Sequence, residues 1–202
     1  MNLASTDISG LILAGGRSTR MGGREKGLQL LGGQTLVSHI IHRLSPQVGQ
    51  VIINANTCLG DYQGLGLPIA SDLINGYVGP LAGLHTGLTH CSTPYLLSVP
   101  CDCPFLPLDL ASRLGQALVL SDADAVYAVT MNEKQTEHHP VFCLLKRDTL
   151  ASLNDYLTGG GRKVLAWIES LHHARVSFDD RAAFLNINTP DDLLAVNSMS
   201  SS

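Results

Sequence analysis

The sequence predicts a single-domain α/β fold with a mostly parallel sheet covered by helices on both faces. Two observations carry that expectation. The chain has 202 residues, 45% of them hydrophobic and only 15% charged, which suits one compact unit with a sizeable core. Over the first 130 residues or so, short apolar runs bounded by turn residues alternate with segments of helical period, the pattern of βαβ units.

Taken in order, Gly10 to Ala14 reads as the first strand, Val51 to Asn54 as the second and Pro68 to Ser71 as the third. Tyr95 to Val99 is the fourth and Ala125 to Val129 the fifth. These runs are apolar at successive positions, as strands buried on both faces must be. Between them, Leu36, Val37, Ile40, Ile41 and Leu44 make one apolar stripe, so Thr35 to Leu44 is expected to be helical. Leu110, Leu114 and Leu118 repeat the stripe after Pro107. From residue 131 the alternation loosens into a polar stretch, Met131 to His139, before a strand over Val141 to Leu145 and a helix over Thr149 to Leu157. Gly159 to Gly161 stop that helix or loosen a basic arm, Arg162-Lys163. Trp167, spaced with Val164 and Leu171, reads as core, and His172-His173 as surface. Thr189-Pro190-Asp191-Asp192 is a helix start, with a capping Thr, Pro at the first position and acids in the first turn. Residues 1–197 are expected to form the domain and 198–202 a frayed tail.

Several functional classes are excluded at this stage. A net charge of -4 leaves no whole-chain basic footprint for nucleic acid or an anionic membrane. No unbroken apolar run exceeds five residues, far short of the roughly 20 that span a bilayer. The first seven residues lack a positive region ahead of the first apolar stretch, so no signal peptide and a cytoplasmic location are expected. Five cysteines without a C-x-x-C pair then fit as reduced thiols. Cys101 and Cys103 read as small residues packed under a strand end rather than as a metal or redox pair.

Chemistry concentrates in two places. The segment from Leu13 to Leu28 holds four of the 13 basic residues, Arg17, Arg20, Arg24 and Lys26, and four glycines between Gly15 and Gly23. Glycines directly after a strand let backbone N–H groups approach an anion while Arg20 and Lys26 supply charge, which is phosphate-binding chemistry. Neither G-x-G-x-x-G nor the G-K-S/T ending of a P-loop is present. The second place is Val99 to Pro104, where a strand runs into Asp102. Ligands of open parallel sheets sit outside the carboxyl ends of strands, so Asp102, Asp72 and Asn54 are expected at one crevice. Asp102 is a natural Mg2+ ligand beside substrate phosphates.

These residues resemble the molybdenum cofactor guanylyltransferases, of the nucleotide-diphospho-transferase type. The resemblance rests on Leu13-Ala14-Gly15-Gly16, Arg20-Met21-Gly22-Gly23, Lys26-Gly27-Leu28, Asn54-Ala55-Asn56, Asp72, Gly79-Pro80-Leu81-Ala82-Gly83, Pro100 to Pro104, His139-Pro140 and Asn186-Ile187-Asn188-Thr189-Pro190. Glu25 stands where the family usually has Asp. The resemblance implies a Rossmann-like three-layer sandwich whose mostly parallel sheet includes an antiparallel strand. It also implies transfer of GMP from GTP to molybdopterin, with Mg2+ and release of pyrophosphate. By the same resemblance Asp102, Arg20 and Lys26 are catalytic, Asp102 also holding the metal. Leu13, Ala14, Gly15, Asn54, Asp72 and Pro80 bind the nucleotide with Lys26 and Asp102, within a nucleotide-binding half of about 8–130. Asn186 and Asn188, with Lys163 from the basic arm, hold the acceptor in a part of about 131–197. Other cofactor-biosynthesis proteins and apo-molybdoenzymes are the expected partners, with no nucleic acid and no membrane. A cytidylyltransferase acting on the same cofactor is the nearest rival, disfavoured because Leu-Ala-Ala-Gly, not Leu-Ala-Gly-Gly, goes with cytosine. A sugar-phosphate nucleotidyltransferase usually has a longer chain, and a GTP-binding module without turnover would not need Asp102.

Overall fold

The computed structural model describes residues 3–16, 25–74, 79–132, 135–189 and 192–193. In chain order its elements are β1 (Ile8–Leu13), β2 (Leu30–Leu31), β3 (Gln34–Thr35), α1 (Leu36–Leu44), β4 (Gln50–Asn54), α2 (Leu59–Gln63), β5 (Ile69–Ala70) and α3 (Pro80–His90). They continue as β6 (Tyr95–Pro100), α4 (Leu110–Ser121), β7 (Ala125–Asn132), β8 (Gln135–Lys146), α5 (Leu150–Thr158), α6 (Val164–Glu169) and β9 (His173–Phe178).

Among the described residues seven strands form one sheet in the order β5-β4-β1-β6-β8-β7-β9, and β2 pairs with β3 as a separate small ribbon. Within the large sheet β8 alone runs against its neighbours. The alternation of side chains along each strand builds two cores. Ile8 and Ile12 of β1, Leu97 and Val99 of β6 and Val126 and Ala128 of β7 face α1 and α4, where Val37, Ile40, Leu44, Leu110, Leu114 and Leu118 cover them. Leu11, Leu96, Ala125, Tyr127 and Val129 face the other way, under Leu81, Leu84 and Leu88 of α3, Leu153 of α5 and Trp167 and Ile168 of α6. Helices on both faces of the sheet make the three-layer architecture expected.

Local signals explain the element ends. Thr35 caps α1 by accepting the Ser38 backbone N–H at 3.3 Å. Thr189 likewise accepts from the Asp192 N–H at 3.1 Å, while Pro190 and Asp191 lie outside the described residues. At the end of α5 the Gly159 N–H returns to the Asp155 carbonyl, and Arg162 donates to the carbonyls of Leu157 and Gly161. The glycines therefore stop a helix, and Arg162 is engaged in closing it.

Three regions differ from the expectation. Met131 and Asn132 end β7, and Gln135 to Pro140 begin β8, so the polar stretch is largely paired strand. Its solvent-facing positions hide the period. The segment at Gly79 to Gly83 opens a helix, α3, absent from the expectation: Leu81, Leu84 and Leu88 share one buried face, but Gly83 and Gly87 sit among them and lower helix propensity. A Cβ at Gly87 would lie 2.5 Å from the Leu11 side chain. His173 is half-buried at the start of β9, its ring tilted against Tyr127 with centroids 6.3 Å apart, instead of standing free on the surface.

Trp167 is fully buried, and its indole N–H reaches the Ser152 hydroxyl at 3.4 Å. Truncation leaves a cavity under the sheet that the surrounding leucines cannot close. Trp167→Ala should lower unfolding free energy by about 3–5 kcal/mol, read as a reduced urea midpoint at unchanged slope.

Candidate active site

The chain order of the strands reverses across β1: from β1 it leads to β4 and β5 on one side, then crosses to β6 on the other. A crevice opens where the connecting loops diverge at such a point. The cavity there, about 320 Å³, is lined by residues from Leu13 to Gly16 after β1, by Asn54 ending β4, by Asp72 after β5 and by Pro100 to Asp102 at the end of β6. Glu25 and Lys26 form one wall and Val141 and Asn186 another, while Gly79 and Pro80 bring the N-terminus of α3 to the rim. Free N–H groups at a helix N-terminus favour an anion there.

Lys26 ties this cavity together. Its Nζ lies 3.1 Å from Asp102 Oδ2 and 2.6 Å from Asn188 Oδ1. Their side chains are largely sheltered, 26% exposed for Lys26 and 13% for Asp102. The Ile187 N–H also donates to the Asp102 carbonyl at 2.9 Å, so the stretch carrying Asn186 and Asn188 is fastened to the end of β6.

On the opposite wall, Asn54 donates to Asp72 Oδ1 at 2.9 Å and Asn56 donates to Asp72 Oδ2 at 2.8 Å. Asn56 Nδ2 also lies 3.2 Å from the Gly15 carbonyl, and its Oδ1 accepts the Asp72 N–H. Both Asp72 oxygens are thus committed to holding loops. Gly83 permits this packing, since a Cβ there would stand 2.3 Å from Leu13 and 2.5 Å from Asn54 Oδ1.

Glu25 accepts a hydrogen bond from the Thr57 hydroxyl and is buried, which raises its carboxyl pKa above the ordinary 4.5. Cys101 and Cys103 are buried as well, and burial beside the Asp102 carboxylate pushes both thiols up. They stay protonated at neutral pH.

Most of the expected site residues come together. Leu13, Ala14, Gly15, Lys26, Asn54, Asp72, Pro80, Asp102 and Asn186 all line the cavity, and Asn188 joins it through Lys26. Arg20, with the glycines at 22 and 23, lies outside the described residues. Lys163 is not brought to the cavity: it precedes α6, exposed, and its carbonyl accepts the Tyr156 hydroxyl at 3.1 Å. The expectation that Asn188 serves the acceptor side separately meets the Lys26 contact, which joins the two sides. Sequence reasoning missed Asn56, Thr57 and Glu25 as organisers of the walls. Adjacency to Asn54 and Lys26 was the available signal.

Among the described residues no group of three or more His, Cys, Asp or Glu is placed to hold a metal ion. Asp102 alone fits one that arrives with phosphate oxygens, because Mg2+ commonly takes one or two carboxylates plus phosphates and water. Among the described residues no helix is long and apolar enough to cross a membrane.

Matches to known proteins at this fold define the class: this is a nucleotidyltransferase. Residues 10–176 match the MobA-like NTP transferase domain family. A molybdenum cofactor guanylyltransferase from Cupriavidus necator is 50% identical over 194 residues, covering 95% of this chain and 96% of the relative. One from Bordetella petrii is 50% identical over 188 residues, covering 93% and 96%. Among solved structures, molybdopterin-guanine dinucleotide biosynthesis protein A from Archaeoglobus fulgidus superposes with a TM-score of 0.77 at 24% identity, over 96% of this chain and 98% of that one. The 4-diphosphocytidyl-2C-methyl-D-erythritol synthase from Anaerococcus prevotii shares the fold at a TM-score of 0.74 and 15% identity, over 98% and 100%. The chain belongs to the molybdenum cofactor guanylyltransferase family.

Burial of Glu25 has a measurable consequence. Its native pKa exceeds the unfolded value, so above about pH 4.5 the native state holds more protons than the unfolded state and stability falls as pH rises through that window. Glu25→Gln removes the titration. The stability of Glu25→Gln relative to the parent should therefore increase from pH 4 to pH 7, measured by urea midpoints.

Proposed function

We propose that this enzyme transfers GMP from GTP to the terminal phosphate of molybdopterin, forming the guanine dinucleotide cofactor and releasing pyrophosphate. The observation that carries the reading is the meeting of Lys26, Asp102 and Asn188 in one cavity at the strand ends. The relatives' name, molybdenum cofactor guanylyltransferase, supports the choice of substrates.

In this reading an oxygen of the acceptor phosphate attacks the α-phosphorus of GTP, a new P–O bond forms, and the bond to the β-phosphate oxygen breaks in line. No protein nucleophile is needed. Catalysis is alignment and charge neutralisation. Lys26 and Arg20 meet the triphosphate; Leu13, Ala14, Gly15, Asn54, Asp72 and Pro80 hold the nucleoside, with Asp72 acting by fixing Asn54 and Asn56. Asn186 and Asn188 face the acceptor. Asp102 would hold Mg2+, which when bound neutralises charge on the α-phosphate and on the departing pyrophosphate.

We read residues 1–197 as one catalytic unit, with donor contacts in about 8–130 and acceptor contacts in about 131–197. The reaction belongs in the cytoplasm, in keeping with five unpaired cysteines. Its product passes to other cofactor-biosynthesis proteins and apo-molybdoenzymes.

Two experiments test this. With Mg2+ and molybdopterin, GTP should be preferred over CTP by at least about 10²-fold in kcat/KM, because a site that hydrogen-bonds one base edge leaves buried groups unpaired with another. Comparable turnover with CTP would move the chain to the cytidylyl reading. Asp102→Asn should cut turnover by about 10²–10³-fold and raise the Mg2+ requirement, whereas Lys26→Ala should weaken GTP binding as well as rate. Near-normal turnover of Asp102→Asn at limiting Mg2+ removes the metal role from that residue.

A further inference from the structure

Asn186 lines the cavity as an exposed side chain on an irregular stretch, where a carboxamide ordinarily rotates freely. Here it is held. The Cys103 Sγ lies 2.8 Å from Asn186 Oδ1, and 3.7 Å from Asp102 Oδ1 and 3.8 Å from the Phe184 carbonyl. Cys103 is fully buried, and an amide oxygen can only accept, so toward Asn186 the thiol serves as the donor. An amide whose oxygen accepts the S–H leaves its nitrogen as the end available to a ligand. Asn188 has the same polarity, since its Oδ1 accepts from Lys26.

We propose that Cys103 is a positioning residue that fixes Asn186 with its amide nitrogen toward the ligand, so that this corner of the cavity donates hydrogen bonds and recognises an oxygen acceptor such as a phosphate oxygen. The kinetic consequence rests on the guanylyltransferase reading, with molybdopterin as the phosphate-bearing acceptor. Removing the thiol frees the amide to turn its oxygen toward the acceptor phosphate, which then meets repulsion where it met a donor.

The test compares Cys103→Ala, which removes the donor, with Cys103→Ser, which retains one, alongside Asn186→Asp, which replaces the amide nitrogen with oxygen. Cys103→Ala should raise KM for molybdopterin about three- to tenfold, the scale of one hydrogen bond, with the Kd for GTP changed by less than about twofold. Cys103→Ser should restore most of the loss, and Asn186→Asp should exceed it. A parental KM in Cys103→Ala, equal impairment of the Ala and Ser variants, or an equal loss for GTP overturns the proposal. An infrared measurement is independent of activity. The S–H stretching band assigned to Cys103 by its absence in Cys103→Ala should move to higher frequency in Asn186→Ala, and an unmoved band also overturns the proposal. If the parent protein transfers nothing from GTP to molybdopterin, the substrate reading fails while the infrared result still decides whether Cys103 holds Asn186.

Discussion

One ammonium group governs the geometry of the cavity. Lys26 follows the glycine-rich segment after β1, Asp102 ends β6, and Asn188 comes from the far C-terminal region, yet all three meet at Lys26 Nζ. The contacts span 76 and 162 residues of sequence. Sheltered carboxylates and amides of this kind are costly to leave unpaired, so removing the lysine would strand both partners. The backbone bond from Ile187 to Asp102 reinforces the same closure. What the sheet contributes is position: the reversal of strand order beside β1 leaves the ends of β1 and β6 facing a gap that a single lysine side chain bridges.

The opposite wall is organised by shared hydrogen bonds. Asp72 has both oxygens bound by the Asn54 and Asn56 amides, and those asparagines also reach the Ala70 and Gly15 carbonyls. A ligand entering between the walls therefore meets side chains whose orientations are already set, which reduces the ordering needed on binding. Glycine is required for this closeness. Gly15 and Gly83 both stand where a Cβ would collide with the asparagine amides.

Much of this was legible before the structure. Strands buried on both faces announce themselves as apolar runs, and the alternation of Ile8 and Ile12 against Leu11 follows directly from strand geometry. The polar residues at strand ends could be placed because an α/β sheet puts them on one edge. Helix α3 was harder to read: Leu81, Leu84 and Leu88 keep helical spacing, but the glycines that bring it onto Leu11 and Leu13 thin the stripe and lower helix propensity. Only the first half of β8 was hidden, for a different reason: Gln135 to Glu137 extend beyond the core, so their polarity reflects exposure rather than a loop, whereas Val141 to Leu145 is legible as an apolar run. Edge strand β9 carries the same mixed signal. Behind the cavity wall, Cys103 meets Asn186 83 residues away, and no local pattern records such a meeting.

The hydrogen-bond capacity of Lys26 explains how such a closed arrangement remains useful. An ammonium has three N–H donors. Among the described residues Asp102 and Asn188 occupy two, leaving a third for an oxygen in the cavity. In the proposed reading, a phosphate chain would engage Lys26 while the lysine keeps its two protein contacts, its positive charge shared between Asp102 and the incoming anion. Asp102 in turn has Oδ1 beside the Cys103 thiol at 3.7 Å, a longer and weaker contact than that of Oδ2 with Lys26. The carboxylate thus has one oxygen that neutralises lysine and one more lightly held. In the proposed reading, that asymmetry would let Asp102 compensate the sheltered Lys26 ammonium with one oxygen and offer the other to Mg2+.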